Sequence, residues 1–103
     1  MNEFIPLENK LNIAFRDKLL LKQAFVHSSY TNEHLEWALP SNERLEFLGD
    51  AFLNLIIARE LYLRHPFFDE GSLTNVRARV VCTEALTRQA KILGLGSILW
   101  LGK

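Results

Sequence analysis

The sequence has little of what several large classes of protein need. Cys82 is its only cysteine among 103 residues, so an intrachain disulfide is excluded, and neither a zinc cluster nor a redox pair can be built from it. No stretch approaches the roughly 18 apolar residues of a membrane-spanning helix, and the N-terminus has neither a basic leader nor an extended apolar segment. We therefore expect a cytoplasmic protein in a reducing compartment, without a membrane partner.

The chain also has no formal net charge, because its twelve basic residues balance its twelve acidic residues. This balance does not mark the whole chain as an electrostatic binder of nucleic acid, although a local cationic groove can still bind one. The hydrophobic fraction of 49% and the charged fraction of 23% are typical of a globular protein. We predict one domain that spans residues 1–103.

Strand signals are scarce, and Val80 with Val81 is the only β-like pair. Helical periodicity and helix-forming composition instead recur along the chain. The predicted helices are 7–14, 18–26, the segment from Glu43 to Pro66, 73–80 and 84–93, with a polar connection over 28–41. Their expected caps are Asp17, Ser72 and Thr83 at the N-terminal ends, with Gly94 closing the last helix. The pattern predicts an all-α protein.

The most informative segment is the octet from Glu43 to Asp50. At about 100° per helical residue, Glu43, Glu46 and Asp50 fall at roughly 0°, 300° and 340°, within an arc of about 60°. Beyond them, the apolar residues of 51–58 point in almost every direction, which is the pattern of a helix buried in its domain. We therefore expect three carboxylates on one side of a buried helix, in or beside the core.

Two interpretations of these acids stay open on spacing alone. Buried ionised carboxylates need protonation, a basic partner or a metal, and hard oxygen ligands suit Mg²⁺ or Mn²⁺. Alternatively, the acids are solvated or salt-bridged, since acids in a first helical turn are favoured by the helix dipole. This second interpretation suits Glu43, which follows the plausible caps Ser41 and Asn42. It suits Asp50 poorly, because Asp50 lies two turns into the helix.

The segment Asn42–Asp50 resembles the signature of the ribonuclease III family, endonucleases that cleave double-stranded RNA. Other segments follow the order and spacing of the family: Ala24–Tyr30, Glu70–Thr74, Val80–Leu86, Leu93–Gly96 and Leu101–Lys103. The resemblance covers nearly the whole chain. It implies an all-α, ribonuclease III-type helical endonuclease domain, present here as its N-terminal portion and incomplete at the C-terminus.

The resemblance also implies roles for individual residues. Glu46 and Asp50 match the signature carboxylates that help to hold catalytic Mg²⁺, with Mn²⁺ as an alternative, and Asp50 matches the aspartate that activates the attacking water. Glu43 and Glu70 match auxiliary acids of the cleft, and Glu70 is able to approach the site of a partner subunit. Phe47 matches an aromatic residue that enters a pocket of the partner, which implies a homodimer; the alternative is an ordinary core phenylalanine.

Two features of the family are absent from this sequence. The complete catalytic domain has a later helix with an Asp-x-x-Glu pair that finishes the metal site, and no Asp-x-x-Glu occurs in this sequence. The double-stranded RNA-binding domain that usually accompanies it is absent as well. The resemblance implies an endoribonuclease that hydrolyses phosphodiester bonds in double-stranded RNA with a metal ion. The alternative is a non-catalytic dimerisation or RNA-binding module, inactive through loss of the acidic pair.

The remaining candidate residues are assigned structural roles. Cys82 follows two valines, which favours a buried structural thiol. We expect His27 to support the fold and Trp37 to anchor its loop, whereas two further histidines and four scattered basic residues are expected on the solvated surface: His34, His65, Arg77, Arg79, Arg88 and Lys91.

Overall fold

The structure, a computed structural model, describes residues 2–37 and 39–102. Its six α-helices, in chain order, are α1 (Ile5–Leu11), α2 (Lys18–Ala24), α3 (Ser28–Glu33), α4 (Glu43–Arg64), α5 (Glu70–Val80) and α6 (Thr83–Leu93). Short 3-10 turns precede α1 and follow α6. The only β-type pairing in the described residues is an isolated bridge between Val26 and Trp100, so the all-α prediction is confirmed. None of the described helices is long and apolar enough to cross a membrane.

The helix caps were predicted in part. Asp17 caps α2 as expected, since its Oδ1 accepts the Leu20 N–H at 3.0 Å. Gly94 closes α6 at φ 70°, also as expected. The prediction for Ser72 was wrong: α5 begins at Glu70, and Asp69 is its cap because the Asp69 Oδ1 accepts the Ser72 N–H at 2.8 Å. Thr83 is the first residue of α6 rather than its cap.

Helix α3 was missed by sequence reasoning, which placed a polar connection over 28–41. Serine, threonine and asparagine compete for backbone hydrogen bonds and so weaken the helical signal. The helix forms because His27 caps it, with the ring Nδ1 accepting the Ser29 N–H at 3.1 Å. The predicted supporting role of His27 is therefore confirmed. His34 and His65 are half-buried rather than fully on the surface.

All five buried apolar residues among those the structure describes lie near the start of the chain: Phe4, Leu7, Leu21, Phe25 and Val26. The rings of Phe4, just before α1, and Phe25, just after α2, lie 5.5 Å apart, so the start of α1 and the end of α2 meet through this pair. Residues that follow α6 in sequence, among them Ile98 and Trp100, pack against the same cluster. The core is therefore built by both ends of the described chain.

The C-terminal segment crosses the turn that follows α2. The Trp100 N–H donates to the Phe25 carbonyl at 2.8 Å, and the His27 N–H donates to the Trp100 carbonyl at 3.0 Å. The Trp100 ring lies 5.2 Å from the ring of Trp37, and the Lys22 ammonium lies 5.2 Å from both ring centres. Trp37 is thus the loop anchor that the sequence predicted.

Helix α4 differs from its prediction. None of its residues is buried, and several of its large apolar side chains are exposed, among them Leu48, Phe52 and Leu55. The expectation of a buried helix was wrong for the described chain, in which α5 is the main helix packed against α4. Cys82 is exposed too, contrary to prediction, and its thiol donates to the Arg79 carbonyl at 3.3 Å.

Candidate functional site

The start of α4 is fixed by backbone and side-chain bonds around Asn42. The Asn42 N–H donates to the Val26 carbonyl at 2.7 Å, and the Asn42 carbonyl accepts the Glu46 N–H at 2.7 Å. Ser41 contributes as predicted, because its hydroxyl accepts the Glu43 N–H at 3.4 Å. The Asn42 side chain does not cap the helix, contrary to expectation. The helix begins at Glu43 as the sequence predicted.

One open hollow on α4 is lined by Glu43, Glu46 and Asp50. Phe47 lies beside these acids, and Leu86 lines the hollow across from them. The prediction that these three acids share a side of the helix is confirmed. The prediction that they lie in or beside the core is wrong, because all three are exposed. Their carboxylates keep their hydration here, so burial does not by itself force them to bind a cation.

The charge environment of the three acids is simple. The ion pairs between described residues join Lys18 to Glu8 and join Arg59 and Arg64 to Glu60, and none includes these three acids. Of the two alternatives to a metal site, solvated acids therefore agree with the structure better than salt-bridged acids do.

The fit of this surface to a metal ion is partial. Carboxylate oxygens are the donors that Mg²⁺ and Mn²⁺ prefer, so the donor chemistry fits. The described residues nevertheless contain no group of three or more acids, histidines or cysteines close enough to hold an ion. Glu46 and Asp50 therefore supply suitable donors but not a complete ligand set.

Glu70 lies apart from the other acids. It is the first residue of α5 and lines a second hollow, between α4 and α5, together with Arg59 and Arg77. The Asp69 carboxylate accepts hydrogen bonds from the backbone N–H and then the side chain of Ser72. These bonds lower the pKa of Asp69 and hold the helix end that carries Glu70. Arg77 lies seven residues after Glu70 on α5, so helical spacing alone indicates that the two share a face. Arg59 lies on α4, and only the packing of α4 against α5 brings it beside Glu70, which sequence spacing could not show.

Phe47 projects from α4 with 82% of its surface exposed. It lines the hollow of the acids and also a neighbouring apolar hollow with Leu20, Pro40 and Leu48. The alternative that Phe47 is an ordinary core residue is therefore wrong for the described chain. Its proposed contact with a partner subunit stays a prediction. Three of the four scattered basic residues are exposed as predicted, and Arg77 is half-buried.

The fold and the site together define an all-α domain with a carboxylate surface on one long helix. The family profile described as Ribonuclease-III-like matches residues 17–103. Ribonuclease 3 of Geobacillus kaustophilus is 48% identical over 101 residues, and Ribonuclease 3 of Oceanobacillus iheyensis is 50% identical over 98 residues. The chain belongs to the ribonuclease-III-like family.

A solved structure agrees with this assignment. The nuclease domain of ribonuclease III from Campylobacter jejuni matches with a TM-score of 0.85 at 34% identity, over 96% of this chain and 65% of that one. The chain spans less than half the length of the two curated relatives: the match covers 98% of this chain but 41% of the Geobacillus protein, and 95% of this chain but 43% of the Oceanobacillus protein.

Proposed function

We propose that the chain acts as an endoribonuclease that hydrolyses phosphodiester bonds in double-stranded RNA with the help of a divalent metal ion. The observation that carries the proposal is the pair Glu46 and Asp50, one helical turn apart on an exposed face of α4, in a chain of this family. Two curated relatives named Ribonuclease 3 support the reaction class.

The residues divide the chemistry as follows. Glu46 and Asp50 would hold Mg²⁺, or Mn²⁺ in its place, with Glu43 and Glu70 as auxiliary acids. The bound cation supplies charge stabilisation for the attacking and leaving oxygens of phosphodiester hydrolysis. The Asp50 carboxylate accepts a hydrogen bond from the attacking water and orients it. Because α4 is exposed, an RNA backbone can reach both carboxylates without a change in the helix.

Further oxygen ligands are needed, because the described residues form no group of three. We propose that they come from residues other than these four acids. We also propose that two copies of the chain form a homodimer in which Phe47 contacts the partner. The exposure of Phe47 supports this arrangement, as does the description of the Campylobacter nuclease domain as having a flexible region involved in dimer formation. A cytoplasmic location agrees with the single, free Cys82.

The experiment is Mg²⁺-dependent cleavage of a long RNA duplex by the purified chain, beside the variant Glu46→Gln. We expect staggered duplex products that EDTA abolishes, and a rate lowered about 100-fold or more in the variant, since one group that stabilises charge is lost. Glu84→Gln is the matched control: Glu84 is also exposed in the first turn of a helix, and this variant should keep the wild-type rate. RNA binding without cleavage would contradict the proposal and favour the non-catalytic module instead.

A further inference from the structure

We propose that Asn42 is a positioning residue, which orients the carboxylates of Glu46 and Asp50 by fastening the start of α4 to the end of α2. The inference rests on the proposed function of those carboxylates. Asn42 itself lies before the helix and does not line the hollow that contains the acids. Its effect on cleavage therefore passes through the helix.

The first observation is the direction of the Asn42 side chain. Asparagine before a helix normally caps it by accepting a backbone N–H two or three residues on. Here the side chain makes no such bond, and its Nδ2 instead donates to the Ala24 carbonyl at 2.9 Å, eighteen residues earlier. A residue suited to local capping is used for a bond between two helices.

The second observation is that Asn42 joins both helices at once. Its backbone N–H donates to the Val26 carbonyl at 2.7 Å, in addition to the side-chain bond to Ala24. Its own carbonyl accepts the N–H of Glu46 at 2.7 Å. Glu46, which carries one of the proposed metal-binding carboxylates, is therefore hydrogen-bonded to Asn42, and Asn42 is fastened to α2. The Gln23 Nε2 also donates to the Ser41 carbonyl at 3.2 Å, which is another hydrogen bond between the same two regions.

The third observation is that the turn which accepts the backbone bond of Asn42 is packed in the core. Val26 is fully buried, and Phe25 lies in the core cluster. The Phe25 carbonyl accepts the Trp100 N–H, and the His27 N–H donates to the Trp100 carbonyl, so the C-terminal segment holds the turn from another side. The backbone bond of Asn42 thus ends on the buried Val26, and its side-chain bond ends on Ala24, two residues earlier.

Helix α4 needs such a restraint because no residue of it is buried. Asp50 lies eight residues beyond Asn42, about 12 Å along the helix axis. A tilt of about 10° at the helix start would therefore move Asp50 by about 2 Å, and misplacements of about 1 Å can lower an enzymatic rate about 100-fold. Directional hydrogen bonds at Asn42 are suited to prevent this tilt.

The test compares Asn42→Ser with Asn9→Ser. Serine caps helices as well as asparagine does but cannot reach Ala24, so this variant separates capping from fastening. Asn9 lies exposed in α1, away from α4, and gives the same chemical change elsewhere. Asn42→Asp is the second variant, which keeps the size of the side chain and replaces the donor by a carboxylate.

Two readouts are used on the full chain. Spin labels at Leu19→Cys and Leu63→Cys, both exposed positions, in a Cys82→Ser background report the distance distribution between α2 and α4. Cleavage of duplex RNA in Mg²⁺ gives kcat and KM separately. We expect both Asn42 variants to broaden the distance distribution and to lower kcat about tenfold with KM unchanged, at constant helix content.

An unchanged distance distribution, or an unchanged kcat beside a broadened one, would overturn the inference. Broadening in Asn9→Ser would do the same, because the effect would not be specific to Asn42. If the wild-type chain does not cleave RNA, the proposed function fails. The distance distribution then still decides whether Asn42 orients the helix that carries Glu46 and Asp50.

Discussion

The two ends of the described chain form its core, whereas the long middle helix carries most of the candidate acids. Residues 4–26, which include α1 and α2, contain every buried apolar residue of the described chain, and the segment around Trp100 packs against them. Helix α4 contains three of the four candidate acids and no buried residue. The radius of gyration is 16.4 Å, above the roughly 13 Å of a compact domain of this length, so the described helices form an extended arrangement.

Stability and the proposed chemistry therefore reside in separate regions, the core and helix α4. Substitutions in the core region should change the free energy of unfolding, whereas substitutions of the acids on α4 should change cleavage and leave unfolding almost unaffected. The hydrogen bonds of Asn42 connect the two regions, so that residue is the place where the separation should break down.

The largest effect on stability is expected from Phe4→Ala. Phe4 is fully buried and contacts the Phe25 ring, so its truncation leaves a cavity and should lower the free energy of unfolding by about 3–5 kcal/mol. Phe67→Ala is the matched control, because Phe67 is 98% exposed and its truncation should cost no more than about 0.5 kcal/mol. Urea unfolding measures both. Equal losses would contradict the division into two regions.

The next effect is expected from Gly102→Ala, at the crossing of the C-terminal segment. A methyl group there would lie 2.6 Å from the Ser29 carbonyl oxygen, which is a backbone atom that cannot move alone. We expect a loss of about 1–3 kcal/mol in the free energy of unfolding. Gly96→Ala serves as control, since no atom lies within 4 Å of the added group. A neutral Gly102→Ala would show that the segment does not help to hold the core.

A smaller effect of opposite sign is expected from Gly49→Ala on α4. No atom lies within 4 Å of the added methyl group, and alanine favours an exposed helix interior over glycine by about 0.5–1 kcal/mol. Thermal unfolding should therefore show a small stabilisation. A destabilised variant would mean that another surface packs closely against α4 at Gly49, between Glu46 and Asp50, and would contradict the exposed helix.

The smallest effect concerns acid pH and Glu8. The hydrogen bond from Lys18, and then that from the Phe15 N–H at 2.7 Å, lower the pKa of Glu8 below its usual value. A lowered pKa in the folded state gives stability that is present above the ordinary value of about 4.3 and is lost as pH falls through the folded value. In Glu8→Gln, the free energy of unfolding should fall less steeply below about pH 4, and Glu36→Gln, at an exposed position, is the matched control.

Much of this comparison could be predicted from the sequence. Periodicity and Pro66 placed this helix between Glu43 and Pro66, and it runs from Glu43 to Arg64; spacing placed the three acids on one side of it. These features are local, since they depend on residues within a few turns of one helix. The all-α class followed from the same signals.

The rest depends on contacts that spacing does not encode. Apolar side chains on every side of α4 show what the helix could bury, but not whether neighbouring elements cover them. The helix was therefore predicted to be buried, and none of its residues is. The bond of Asn42 to Ala24 spans 18 residues, and that of Gly102 to Ser29 spans 73. Nothing in the local pattern reports such partners.

We propose that Asp50, on the exposed helix, carries the chemistry without supporting the fold. The most direct measurement takes Asp50→Asn through urea unfolding and through Mg²⁺-dependent cleavage of duplex RNA. We predict a free energy of unfolding within about 0.5 kcal/mol of the wild type and a loss of cleavage. Cleavage at the wild-type rate by Asp50→Asn would contradict the account.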